Sequence, residues 1–143
     1  MSGKKKTAVL VAERSGLWSD WIEPLRAQAE DIAVILQRIE ETPSQLAVRV
    51  RERLVQIAQE GELVAAALIG GDQWDSATLT ARSSMTCALA AQMSAAGNGR
   101  LFLDTAHSGR GRHAMQALAA VLEEQVGDGV DIVTAVGSTR RAA

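Results

Sequence analysis

A doubly wound α/β fold, a three-layer α/β/α sandwich around a five-stranded parallel sheet, is predicted by three features of the sequence. Five short apolar runs recur, at residues 7–12, 32–38, 63–69, 101–105 and 132–136. Each is largely continuous instead of alternating, as strands are when both of their faces are covered. Between the runs lie four segments with apolar residues at helical spacing, and strict alternation of strand and helix favours parallel strands joined by right-handed crossovers. The length of 143 residues and the 47% hydrophobic content suit a single core. Residues 1–6 read as a basic leader, 7–137 as one α/β domain, and 138–143, which lack an apolar face, as a flexible tail.

The elements follow in order. The first strand ends at Ala12, and Leu17, Trp18, Trp21, Ile22 and Leu25 then mark a first helix whose tryptophans suit the core or a subunit contact. After the second strand, Thr42-Pro43-Ser44-Gln45 supplies an N-cap, a first-turn proline and an N3 residue able to close a capping box. The second helix carries Leu46, Val50, Leu54, Ile57 and Ala58 on one face, and Gly61 ends it as a left-handed residue. Asp75 or Ser76 caps the third helix, with Leu79, Met85, Leu89 and Met93 as its stripe and Gly97-Asn98-Gly99 beyond it. Met115, Leu118, Leu122 and Val126 mark the fourth helix, and Gly127-Asp128-Gly129 leads to the last strand.

Composition narrows the function classes. The 15 Lys and Arg are matched by 17 Asp and Glu and interspersed with them, so the charge offers no attraction for nucleic acid. The only cysteine, Cys87, rules out an intramolecular disulfide and fits a reducing compartment. The apolar run after the N-terminal lysines stops at Ala12, too short for a signal-peptide core or a membrane span. The expected setting is cytoplasmic, with no membrane partner.

In an open parallel sheet, ligands bind beyond the carboxyl ends of the strands, where the strand order reverses. That rule singles out Glu13, Arg14, Ser15 and Gly16 after the first strand, residues 39–42 after the second, Gly70, Gly71 and Asp72 with Gln73, Trp74 and Asp75 after the third, and residues 106–113 after the fourth. In the last loop, Ser108 precedes Gly109-Arg110-Gly111-Arg112-His113-Ala114, which matches G-x-G-x-x-A between a strand and a helix. Glycines there let backbone N–H groups approach a phosphate at the positive end of the helix, with Arg110 and Arg112 adding charge-assisted bonds. Paired glycines before Trp74 permit close backbone approach, Trp74 offers a ring for stacking, and Asp72 or Asp75 offers a carboxylate for a ribose or a cation. Asp104 with His107 and His113, both histidines of the chain, form the one constellation that invites hydrolase, transferase or metal chemistry.

The opening Ala8-Val9-Leu10-Val11-Ala12-Glu13-Arg14-Ser15-Gly16 resembles the first strand and following loop of the universal stress protein family, where a V-A-x-D-G-S-like run follows that strand. The number of βα units and the length are similar to that family as well. The resemblance implies a universal-stress-like or flavodoxin-like doubly wound fold, a homodimer, a cytoplasmic stress-linked role and, in one subgroup, ATP binding. The chain departs from the pattern at Glu13, where the family has Asp, and it lacks the family's G-x-x-G-x9-G-S/T phosphate motif.

The expected function is a non-enzymatic regulatory or sensing domain that binds a nucleotide or another anionic, phosphate-bearing metabolite on a rim made by residues 13–16 and 108–113. That rim requires the first and fourth strands to be neighbours. A small hydrolase or transferase using Asp104, His107 and His113, and a pure protein-interaction domain, are the alternatives. Self-association is expected through the last strand, which lacks a following helix, or through the tryptophan helix.

Overall fold

A computed structural model describes residues 5–97, 99–105, 110–126 and 129–136 of the chain. Five parallel strands, β1 (Lys5–Ala12), β2 (Asp31–Leu36), β3 (Gly61–Gly70), β4 (Gly99–Thr105) and β5 (Val130–Val136), alternate with four helices, α1 (Ile22–Arg26), α2 (Pro43–Glu60), α3 (Ser76–Ala95) and α4 (Arg110–Val126). The sheet order is β2-β1-β3-β4-β5, the flavodoxin-like variant of the doubly wound arrangement. The predicted α/β class, parallel sheet and alternation are all present.

The two faces are covered unequally. Buried residues of α2, α3 and α4 form one core with Val9, Val11, Ala66, Leu68, Leu101 and Leu103. On the opposite face Trp21 and Leu25 pack on Ala8, Leu10, Ala67, Ile69 and Phe102. The first helix is much shorter than its apolar spacing suggests: a 3-10 turn at Ser19–Trp21 runs into only five α-helical residues. Pro24 falls within its first turn, where the missing N–H costs nothing. Trp21 and Leu25 are fully buried while Leu17 is 65% exposed, so the tryptophan segment is a core element of its own domain. Burial of each side chain of that size contributes roughly 1.5–3 kcal/mol.

Edge position corrects the reading of β2. Its apolar run implied two covered faces, yet the burial alternates, with Ala33 and Ile35 inside and Val34 and Leu36 partly in solvent. A helical layer lies firmly on only one side of this outermost strand. β1 begins at Lys5, before the expected start, because Lys5 and Lys6 pair in register with Gly61 and Glu62 of β3. The basic leader is shortened accordingly; residues 1–4 and the tail at 138–143 lie outside the described residues.

The helix boundaries show which cues were local. Thr42 accepts the Gln45 N–H while the Gln45 side chain accepts the Thr42 N–H, completing the capping box that opens α2. Asp75 caps α3 through the Thr78 N–H. Gly61, by contrast, is extended (φ −172°, ψ −152°), not left-handed. A Cβ there would lie 2.1 Å from the Lys5 carbonyl oxygen, so the glycine serves the close approach of β3 to β1. Gly97 does take the left-handed conformation, at φ +98°; Asn98, Gly127 and Asp128 lie outside the described residues. On α3 the buried stripe includes Thr78, Ala81, Arg82 and Thr86 beside Met85, Leu89 and Met93, whereas Leu79 is 40% exposed.

Candidate functional site

The strand order fixes where a cleft opens. From β1 the chain turns to the face bearing α1, and from β3 it turns to the face bearing α3, so the two loops diverge at the carboxyl end of the β1–β3 pair. A cleft of about 340 Å³ lies there, lined by Glu13, Arg14, Ser15, Gln37, Asp72 and Asp75. β4 is separated from β1 by β3, so the first and fourth strands are not the neighbours that the expected rim required. The partner of Glu13–Gly16 is instead the loop after β3.

The floor is a buried ion pair. Arg82 donates from Nε to Glu13 Oε2 at 2.5 Å and from Nη2 to Glu13 Oε1 at 2.6 Å, and Nη2 also reaches the Gln73 carbonyl at 2.7 Å. Glu13 Oε1 further accepts the Gly71 N–H at 3.0 Å. Arg82 is only 2% exposed and Glu13 7%, so both charges depend on each other's presence. The bidentate fork matches guanidinium to carboxylate geometry. It ties the ends of β1 and β3 to α3.

The rim is held by local turns. Gly16 donates to the Glu13 carbonyl at 2.9 Å, closing a turn in which Ser15 takes φ +69°, a left-handed conformation uncommon for a residue with a Cβ. The Ser15 hydroxyl donates to Asp72 Oδ1 at 3.2 Å, and the Arg14 backbone N–H donates to Gln37 Oε1 at 2.9 Å. The Arg14 guanidinium donates to the Ile39 carbonyl. Gly71 is required by close approach, since a Cβ would stand 2.0 Å from the Arg14 carbonyl oxygen. Asp75 accepts from the Thr78 hydroxyl at 2.8 Å, and that bond holds its carboxyl below the usual range.

Trp74, whose ring the sequence offered either for stacking or as cover for the sheet edge, stands against Arg82. Its ring lies over the Arg82 guanidinium at 4.0 Å. A Cβ on Gly111 would stand 2.6 Å from Trp74 Cζ2, so the space that the second glycine of G-x-G-x-x-A opens is occupied by an indole edge. Arg112 and His113 are exposed on the first turns of α4. His107, Ser108 and Gly109 lie outside the described residues, as does the side chain of Arg110.

Asp104 is turned away from the rim. Its Oδ2 accepts the Trp21 indole N–H at 2.5 Å and its Oδ1 the Thr105 N–H at 2.7 Å. That places the carboxylate on the α1 face of the sheet, while α4, which bears His113, packs on the other. The sheet separates two members of the proposed Asp104, His107 and His113 constellation. Among the described residues no group of His, Cys, Asp and Glu suited to a metal comes together.

Sequence reasoning missed Arg82, Gln37 and Thr78. Arg82 was legible in principle: it stands at helical spacing before Met85, Leu89 and Met93, and an arginine in a core stripe needs a buried carboxylate. Gln37 carried no signal, because its part depends on β2 lying beside β1.

Among the described residues no helix is long and apolar enough to cross a membrane. No protein-family model, curated protein or solved structure matches the chain significantly; what is shown is a five-stranded, all-parallel α/β fold.

Proposed function

We propose that the chain is a non-enzymatic sensing domain, universal-stress-like in kind, that binds a nucleotide at the carboxyl edge of the sheet and works as a homodimer. The observation that carries this reading is the cleft at the β1–β3 strand reversal, where Ser15 and Asp72 present a hydroxyl and a carboxylate at one wall. A carboxylate beside a hydroxyl suits the paired hydroxyls of a ribose better than it suits a bare anion. The cationic part of the rim, Arg112 at the start of α4, lies beyond β3. Two strand spacings, about 10 Å, separate the ends of β1 and β4, a distance that calls for a ligand with its sugar at one end and phosphates at the other.

The non-enzymatic part rests on how the ionisable groups are engaged. Glu13 is bound by Arg82 and Gly71 and Asp75 caps α3, while Asp72 is the carboxylate turned to the ligand's hydroxyls. General acid or base catalysis needs a group free to exchange its proton during reaction, and Glu13 and Asp75 are committed to holding the loops. Titration calorimetry with nucleosides, nucleotides and inorganic phosphate tests the reading. Saturable heat is expected with a nucleotide, weakened about tenfold by Asp72→Ala and by Arg112→Ala, the loss of one hydrogen bond or charge contact each. Heat with none of these compounds at millimolar concentration removes the ligand from the proposal.

A further inference from the structure

The sheet edge formed by β2 lacks the usual defences. Edge strands are blunted by a charge, a proline or a bulge, because their unpaired N–H and C=O groups invite another strand. β2 has no charge and no proline between Asp31 and Gln37, and its register with β1 runs from Thr7↔Asp31 to Ala12↔Leu36 without a shift. β5, at the opposite edge, carries Asp131 within the strand. Large hydrophobic side chains also reach solvent on β2 and just beyond it: Val34 is 43% exposed, Leu36 39% and Ile39 83%.

The backbone fixes which groups are free to pair. The Gln37 N–H donates to the Ala12 carbonyl, and by the period of two along a strand Ala33 and Ile35 turn their backbone groups to β1 as well. Ile32, Val34 and Leu36 therefore turn theirs outward. The two ends of this row carry opposite charges, since Glu30 precedes the strand, Arg38 follows it, and both are exposed.

We infer that this edge binds the same edge of a second copy of the chain, antiparallel, about a two-fold axis at Val34. In that register Val34 faces Val34 of the other copy and Ile32 faces Leu36, so that every outward N–H and C=O of these residues finds a partner. Glu30 of each copy comes beside Arg38 of the other. A strand with an acid before it and a base after it is its own complement only when antiparallel; a parallel copy would set Glu30 against Glu30 and Arg38 against Arg38. An antiparallel strand at the edge of a parallel sheet is a common arrangement, and the half-exposed Val34 and Leu36 gain cross-strand neighbours in it. One short strand from each copy makes a contact smaller than a standard interface, so it forms near millimolar and not at micromolar concentration. It is distinct from a homodimer made at β5: two-fold contacts at opposite edges do not close, and homodimers would join through β2 into an open-ended row.

The test uses the full chain carrying Val133→Lys, which blocks the β5 edge and so separates this contact from the homodimer. Sedimentation near millimolar concentration should show a reversible monomer–dimer equilibrium. Arg38→Glu sets like charges against each other at both ends and should weaken it about tenfold; adding Glu30→Arg should restore it, because the exchanged charges are complementary again. Val34→Pro removes an N–H that points away from β1, a change that an edge strand tolerates, and should abolish the association while the circular dichroism spectrum is kept. The register is read by disulfide formation in the chain with Val133 retained and Cys87→Ser. Val34→Cys should link to its own copy, whereas Leu36→Cys should not, since its counterpart stands about 13 Å away along the strand. A monomer at the higher concentration would overturn the inference. So would association that is indifferent to the charge exchange, or Leu36→Cys linking as readily as Val34→Cys, the mark of unspecific contact.

Discussion

Glu13 and Arg82 decide more of this molecule than any other pair. They lie 69 positions apart in sequence, and neither charge has solvent to fall back on. Removing one partner strands the other: Arg82→Met should cost about 3–5 kcal/mol in urea unfolding. The double change Glu13→Gln with Arg82→Met should recover most of that loss, because it removes both charges together. A double variant as unstable as the single one would mean that packing at Arg82 matters more than its charge. Gly71 gives a prediction of another kind, since a methyl group there collides with the Arg14 carbonyl oxygen. Gly71→Ala should lower stability by about 2 kcal/mol, read from the shift of the unfolding midpoint.

Among the elements, the entry to α2 shows how a local cue and a tertiary contact reinforce each other. Thr42→Ala removes the capping oxygen and should cost about 1 kcal/mol in the same unfolding assay. The preceding residue, Glu41, accepts from Arg49 Nε at 2.6 Å and Nη2 at 2.8 Å. These hydrogen bonds, more than the attraction of charges at a distance, hold the Glu41 carboxyl below its usual range, and the same contact raises Arg49. A folded value below the unfolded one means that the contribution is complete above the unfolded carboxyl pKa, about 4.3, and fades as pH falls through the folded value. The stability difference between wild type and Arg49→Gln should therefore be constant near neutrality and shrink below about pH 4. Urea midpoints across that range give the answer directly, and a difference independent of pH would show that the Arg49 bond to the Leu36 carbonyl carries the effect.

For the whole molecule, the asymmetric covering of the sheet matters most. Three helices cover one face, while the short α1 lies against β1, β2 and β3 on the other. β5 is an edge of the sheet, and an edge strand offers unpaired backbone groups to a second chain. The strand begins at Val130 and includes Asp131, whose carboxylate is paired with Arg100 of β4 at 3.1 Å, so the edge is less bare of charge than its apolar run implied. With Trp21 committed to the core, the proposed dimer rests on this edge. Sedimentation at micromolar concentration should give twice the 15.2 kDa of the chain, and Val133→Lys should shift the population toward monomer. A wild-type monomer would refute the dimer.

Periodicity and capping are short-range properties, and what they control was legible in the sequence: five strands alternating with four helices, a parallel sheet, the capping box at Thr42 and the cap at Asp75. Most strand ends shifted by one or two residues, since a strand runs as far as a neighbour pairs with it, as Lys5 and Lys6 do with β3. The order of the strands was not legible, because each crossover can carry the chain to either side of the sheet and only the packing of all the helices selects among the results. That choice set β3 between β1 and β4, and with it the partner of the Glu13 loop. The orientation of Asp104 followed the same way: alternation along β4 places it beside Phe102, and only the fold puts Trp21 on that face to receive it. The sequence by itself determined the local elements through their spacing; the tertiary structure alone decided the site, because a cleft is made by residues that meet only after the strands have been ordered.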